Sequence, residues 1–222
     1  MAPRAEVLQQ LAERISLLER PHPLRVGIDG IDASGKTRLA CELADTLVKM
    51  GKPMIRVSLD VFHRSREERH RQGRASPLGY YEDSFNYPAL LSDVLIPLGP
   101  GGDLCYRASH FNLVTDSKTD EPWRRADPRS ILLLDGVFLQ RPELAGHWDF
   151  VVFVDSGFDA ALERALARDR ELFGSMEDAR RLYLNRFFPG QRLYLERDQP
   201  MQRADVIFKN DDIENPALIE RH

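Results

Sequence analysis

Eight consecutive residues, Gly30-Ile31-Asp32-Ala33-Ser34-Gly35-Lys36-Thr37, spell G-x-x-x-x-G-K-T, the spacing of a loop that cradles phosphates. Glycines at both ends let the backbone turn tightly enough for its N–H groups to converge on one polyphosphate, and a following helix adds its positive end. Lys36 is placed to reach the terminal phosphates and the Thr37 hydroxyl to ligate magnesium, so the expected ligands are a nucleotide's phosphates and Mg2+. Phosphoryl transfer further needs a carboxylate for the metal, cations for the moving group and a base for the acceptor. Asp135, after Ile131-Leu132-Leu133-Leu134, fits the metal carboxylate; its alternative is a cap on the next turn. Asp60 closes Ser58-Leu59-Asp60 and could take a proton from an incoming hydroxyl, or cap the charged segment that follows. Arg168 and Arg170, ahead of Gly174-Ser175, could clamp the donor phosphates from a closing lid, or form a solvated face with Glu163 and Asp169. Arg186 and Arg192 are further candidates of the same kind.

These groups require elements that bring them to one edge. Leu24-Arg25-Val26-Gly27-Ile28 reads as a first strand, and Lys36 to Met50 places Leu39, Leu43 and Leu47 at helical spacing. Met54 to Leu59, Ile131 to Leu134, Phe150 to Val154 and Asp205 to Lys209 read as further buried strands. Helices are expected over Tyr87 to Leu98, Phe158 to about Leu172 and Met176 to about Phe188, with a hairpin over Asp103 to Asp116, a polar loop over Thr115 to Arg129 and a polar tail after Lys209. His63 to Arg74 reads as a surface helix or mobile loop, and the amphipathic stretch Met1 to Arg20 as a docking helix. Apolar strands alternating with helices predict an α/β fold, a parallel five-stranded sheet with helices on both faces and a small helical lid. Ligands then bind beyond the carboxyl ends of the strands, the edge where Gly30, Asp60 and Asp135 all fall.

The 222 residues suit a single domain, with a lid over about 168–192 and an acceptor-binding insertion over about 60–125. A net charge of −4 argues against a general nucleic-acid binder. No leader or membrane-spanning run is read, and Cys41 and Cys105 lack metal spacing, so a cytoplasmic protein with reduced thiols is expected, with a homo-oligomer left open. Arginines outnumber lysines 26 to five, a bias that suits forked contacts with phosphate. Three patterns are set aside. His63 and His70 lack a partner at metal spacing; the arginines from Arg64 to Arg74 alternate with Glu67 and Glu68, a solvated face by default, with contact to an anionic substrate as the minority reading; and Ser117-Lys118-Thr119-Asp120 follows no buried strand that would make it a guanine reader.

The ordered set G-I-D-G-I-D-A-S-G-K-T, L-D-V-F-H, F-N-Y-P, L-L-L-D-G-V-F-L, A-L-A-R-D and A-D-V-I-F, from about Leu24 to Lys209, resembles the uridine kinase family of phosphate-loop kinases, relatives of phosphoribulokinase and pantothenate kinase. The resemblance implies a P-loop NTPase fold and transfer of the ATP γ-phosphoryl to a hydroxyl of a small molecule, first of all a nucleoside. It makes Asp60 the base, Asp135 the metal carboxylate and Arg168 a lid arginine. It assigns His63, Tyr81, Phe85, Tyr106 and Arg107 to the acceptor. Tyr106-Arg107-Ala108 departs from the family's Y-D-F-x-x-H base reader, and Arg107 would suit an acceptor bearing a carboxylate or phosphate. Rival readings are a kinase for another hydroxylated metabolite, such as pantothenate or a sugar acid, and a regulatory ATPase without an acceptor.

Overall fold

The computed structural model describes residues 3–169 and 172–220. Helix α1 (Arg4–Ser16) precedes strand β1 (Leu24–Gly30), the phosphate loop, α2 (Lys36–Lys49) and β2 (Met54–Ser58). Between β2 and the next strand of the main sheet lie α3 (Arg66–Arg69), α4 (Pro77–Asp83), α5 (Tyr87–Leu90) and the short strands β3 (Cys105–Tyr106), β4 (Phe111–Asn112), β5 (Ser117–Lys118) and β6 (Arg124–Arg125). The chain then runs through β7 (Ile131–Asp135), β8 (Phe150–Asp155), α6 (Phe158–Asp169), α7 (Met176–Leu182), α8 (Phe188–Asp198), α9 (Pro200–Arg203), β9 (Val206–Lys209) and β10 (Ala217–Glu220).

The main sheet runs β10-β9-β8-β1-β7-β2. Its five parallel strands are those expected: β1, β7, β8 and β9 are apolar runs buried on both faces, and β2, at the edge, buries Ile55 and Val57. Register fixes the functional edge: Ile28 and Ser58 both stand opposite Asp135, and Gly30 stands opposite Val154. On one face α1 and α2 interlock through Val7, Leu11, Ile15, Leu39, Leu43 and Leu47. Burying such a side chain contributes on the order of 1.5–3 kcal/mol, against less than about 1 for an exposed ion pair within α2 such as Arg38–Glu42, so packing outweighs surface charge on this face. The opposite face packs Phe62, Tyr80, Phe138 and Tyr194 beneath α4 and α8. No described helix is long and apolar enough to cross a membrane.

Four local expectations are corrected. The tail after Lys209 forms antiparallel β10 on β9, too short a run for its pattern to register. The insertion hairpin is Phe111–Asn112 with Ser117–Lys118, turning through Asp116 at φ 52°, and Cys105–Tyr106 pairs instead with Arg124–Arg125 inside the expected loop. The helix from Tyr87 changes at Leu91–Leu95 to a wider π turn, where buried Asp93 receives Arg107. The helix from Met176 does not stop near Phe188; a π turn at Tyr183–Phe187 leads into α8. Pro189 falls in the first turn of α8, where its missing N–H costs no ladder bond, and the wider turn precedes it.

Candidate active site

The phosphate loop is shaped by two glycines. Gly30 adopts φ 148°, and a Cβ there would stand 2.5 Å from the Val154 carbonyl oxygen. Gly35, at φ 98°, opens α2, and a Cβ would come within 2.4 Å of Asn210 Nδ2. That amide donates to the Ser34 carbonyl at 2.6 Å, and its own oxygen accepts from Arg4 Nη1 at 3.1 Å, tying α1 and the end of β9 to the loop. Ala33 also sits in left-handed backbone, at φ 57°. Lys36 is buried and donates from Nζ to the Ile31 carbonyl at 2.7 Å, and the buried Ser34 hydroxyl has no partner among the described residues. Gly35→Ala is therefore expected to cost about 1–3 kcal/mol of stability through forced left-handed backbone and a displaced Asn210. Scanning calorimetry should show a lower Tm and a smaller rise on adding Mg·ATP.

Across the loop, Thr37 Oγ1 donates to Asp135 Oδ2 at 2.7 Å, and Arg56 Nη2 pairs with Asp135 Oδ1 at 2.8 Å. Beneath them, buried Asp29 receives the Gly30 N–H at 2.8 Å, Gln140 Nε2 at 3.1 Å and the Tyr194 hydroxyl, while burial raises its pKa. A cleft of about 380 Å³ is lined by Asp32, Lys36, Thr37, Asp60, Asp135 and Arg168. Asp60 is exposed at its surface, yet protein atoms surround its carboxyl. That desolvation, with Asp32 and then Asp135 adding like charge, pushes it up to about 6; Lys36 and Arg168 oppose the rise. Asp32 accepts from the Tyr80 hydroxyl at 2.8 Å and from Gln191 Nε2 at 2.6 Å.

Thus Asp32, Ala33, Gly35, Lys36, Thr37, Asp60, Asp135 and Arg168 share one cleft. Arg168 is held by both oxygens of Asp169, at 2.6 and 2.9 Å, and by the Tyr183 hydroxyl at 3.2 Å. Ile31 is buried and packs with α6 and α8. Arg170 lies outside the described residues. Arg192 does not reach the cleft; it stacks 4.0 Å over the Phe158 ring. Among the described residues no group of three or more His, Cys, Asp or Glu converges as a metal cage.

The expected acceptor residues divide. His63 bonds through Nδ1 to the Asp60 carbonyl at 2.8 Å and packs 4.5 Å from the Phe85 ring; burial pushes it down to about 4, so it is neutral and Nδ1 is the donor. Phe85 is buried behind it, against Phe138. Tyr81 points away, donating to Asp198 at 2.6 Å under the Arg141 guanidinium; its neighbour Tyr80 faces the site instead. Tyr106 is buried in the core, and Arg107 is taken by Asp93 at 2.9 Å and by the Trp123 ring at 4.5 Å, so neither lines the cleft. Arg56, Gln191 and Asn210 were missed. Only Arg56 left a signal, a charge inside an apolar strand.

A family model for phosphoribulokinase and uridine kinase matches residues 26–214. A uridine kinase of Brevibacillus brevis is 28% identical over 203 residues, covering 89% of each chain. Uridine-cytidine kinase B of Dictyostelium discoideum is 29% identical over 149 residues, covering 67% of this chain and 59% of its own length. The solved structure of a possible uridine kinase from Bacillus stearothermophilus superposes with a TM-score of 0.72 at 24% identity, covering 91% of this chain and 97% of that one.

Proposed function

Because the chain belongs to the phosphoribulokinase/uridine kinase family of small-molecule kinases, we propose that it moves the γ-phosphoryl of ATP to an alcohol of a small molecule, with Asp60 as the base. One observation carries this reading: Lys36, Thr37, Asp60, Asp135 and Arg168 all line one cleft at the carboxyl edge of the sheet. The acceptor oxygen attacks the γ-phosphorus, the bond from that phosphorus to the β,γ-bridging oxygen breaks, and its electron pair leaves with ADP. The hydroxyl proton passes to Asp60, whose pKa near 6 leaves it ionised at neutral pH yet basic enough to accept. Lys36 must release the Ile31 carbonyl to reach the phosphates, and Arg168, already oriented by Asp169, neutralises the transferred group. The Thr37 hydroxyl and Asp135 carboxylate make an oxygen-only donor pair that fits Mg2+, which would neutralise phosphate charge when bound. Arg56 holds the carboxylate in place. The two free cysteines, Cys41 and Cys105, suit a reducing, cytoplasmic setting.

The test is acceptor-dependent ADP release from the purified protein. At least one alcohol among nucleosides, sugars, sugar phosphates and hydroxy acids should raise the ADP rate about 100-fold over the hydrolysis background, within the usual range of kinase turnover. If Mg·ATP binds but no acceptor stimulates release, the chain is a nucleotide-binding ATPase and the kinase reading fails.

A further inference from the structure

A loop that holds a triphosphate gains nothing from an acid, since like charges repel, yet its third residue is Asp32. The fold turns that carboxylate aside. Its Oδ2 accepts from the Tyr80 hydroxyl at 2.8 Å and from Gln191 Nε2 at 2.6 Å, and the Asp32 N–H donates to Gln191 Oε1 at 3.2 Å. Gln191 is 1% exposed and Tyr80 6%, so packing in α8 and α4 fixes both anchors. One amide that a phosphate loop would offer to the nucleotide is therefore already engaged. Among the described residues no donor reaches the other oxygen, Asp32 Oδ1. The residue lines the cleft with Asp60, and after burial it contributes most to the rise in the Asp60 pKa, which makes the two carboxyls near neighbours. Tyr80 leads on to the space beside His63, whose ring bonds the Asp60 carbonyl, so Asp32 stands on the side from which an acceptor meets the base.

A carboxylate oxygen in a cleft calls for a donor. The cations of the cleft are committed elsewhere: Lys36 to the Ile31 carbonyl, and Arg168 to both oxygens of Asp169. The donor then comes with the acceptor. An ammonium would meet the field of Lys36 and Arg168, and an anionic group would meet two carboxyls, whereas a hydroxyl adds no charge. Resting on the kinase reading above, we infer that Asp32 serves the acceptor and not the nucleotide: its free oxygen accepts from a second hydroxyl of the acceptor while Asp60 receives the hydroxyl that is phosphorylated. The substrate class is accordingly a polyol, uncharged where it meets the two carboxyls. Asp32 determines which hydroxyl reaches Asp60 and takes no proton itself.

The test compares acceptors with analogues in which a hydroxyl that is not phosphorylated is replaced by hydrogen or fluorine. Suitable series are uridine with its 2′- and 3′-deoxy and fluoro forms, ribose with 2-deoxyribose and 2-deoxy-2-fluororibose, and glycerate with lactate and 3-hydroxypropionate. One replacement should lower kcat/KM about 10–100-fold, the worth of a hydrogen bond to a charged group, and fluorine should be as poor as hydrogen because it cannot donate. In Asp32→Asn that ratio should shrink about tenfold, with the Kd for Mg·ATP by calorimetry nearly unchanged. The conservative Tyr80→Phe keeps the test decisive if Asp32→Asn fails to fold: the carboxylate loses one of the two donors that aim it, and discrimination should again fall. A ratio equal in the parent and both variants overturns the inference and leaves the kinase reading standing. So does an acceptor with a lone hydroxyl used as well as any diol, a preference for an amino alcohol, or a ratio kept in Asp32→Asn while Mg·ATP binding weakens about tenfold or more. Absence of ADP release with every acceptor removes the kinase reading, and the assignment of Asp32 with it.

Discussion

Asp60→Asn is expected to lower kcat about 10³-fold while leaving the Kd for Mg·ATP nearly unchanged, read by ADP release and by calorimetry. Asparagine keeps the shape at the end of β2 but cannot take a proton, whereas the proposed hold on the triphosphate comes from the loop, Lys36 and Thr37. The pH profile separates this role from a structural one. The folded carboxyl titrates near 6, so kcat/KM for the acceptor should fall about tenfold per unit below that value and level off above 7. The residual activity of the variant should lack that limb. Stability should move the other way. A carboxyl raised from 3.8 binds a proton more readily folded than unfolded, so ionised Asp60 destabilises the fold as pH rises from about 4 to 6. At pH 7 the variant should therefore melt above the parent, and the difference should fade below pH 4. A variant that turns over at the parental rate, or keeps the acid limb, would rule Asp60 out as the base.

Much of this arrangement was legible before any coordinates. The phosphate loop is contiguous and its chemistry depends on spacing, so Gly30 to Thr37 could be read directly. Asp60 and Asp135 could be expected at one cleft because each closes an apolar strand, and parallel strands deliver their carboxyl ends to one edge. The losses occur where contact depends on long-range packing. Gln191 reaches Asp32 only because a π turn carries the chain past Pro189 into α8. Asn210 touches the loop from 176 positions away. Tyr80 and Tyr81 are adjacent and chemically alike, so no pattern says which faces the site; the turn of α4 sends one to Asp32 and the other to Asp198. Arg107 was assigned to the acceptor because nothing in the sequence ties it to Asp93, which lies on a π turn that periodicity reads as ordinary helix. The arginines from Arg64 to Arg74 read by default as a solvated face, and two of them pair with acids, Arg71 with Asp83 at 2.5 Å and Arg69 with Asp116 at 3.2 Å. The backbone carbonyls of Arg69 and Arg74 accept from Arg186, more than a hundred residues on.

Lys36→Ala should reduce kcat/KM by about 10³–10⁴-fold, the scale on which a single cation at a transferring phosphoryl acts. In the free protein the ammonium is buried and satisfied by the Ile31 carbonyl, so it waits in a hydrogen bond it must exchange for phosphate oxygens. The second consequence is electrostatic and specific to this site. Lys36 is the leading charge that holds the Asp60 pKa down against burial and against Asp32. Without it, the midpoint of the acid limb in the residual rate should move above 6, toward neutral pH. Lys36→Arg should keep that midpoint near 6 yet recover little turnover, because a planar fork does not fit where a compact ammonium packs inside the loop. An unshifted midpoint in Lys36→Ala, with the rate still lost, would confine Lys36 to nucleotide binding and detach it from the base.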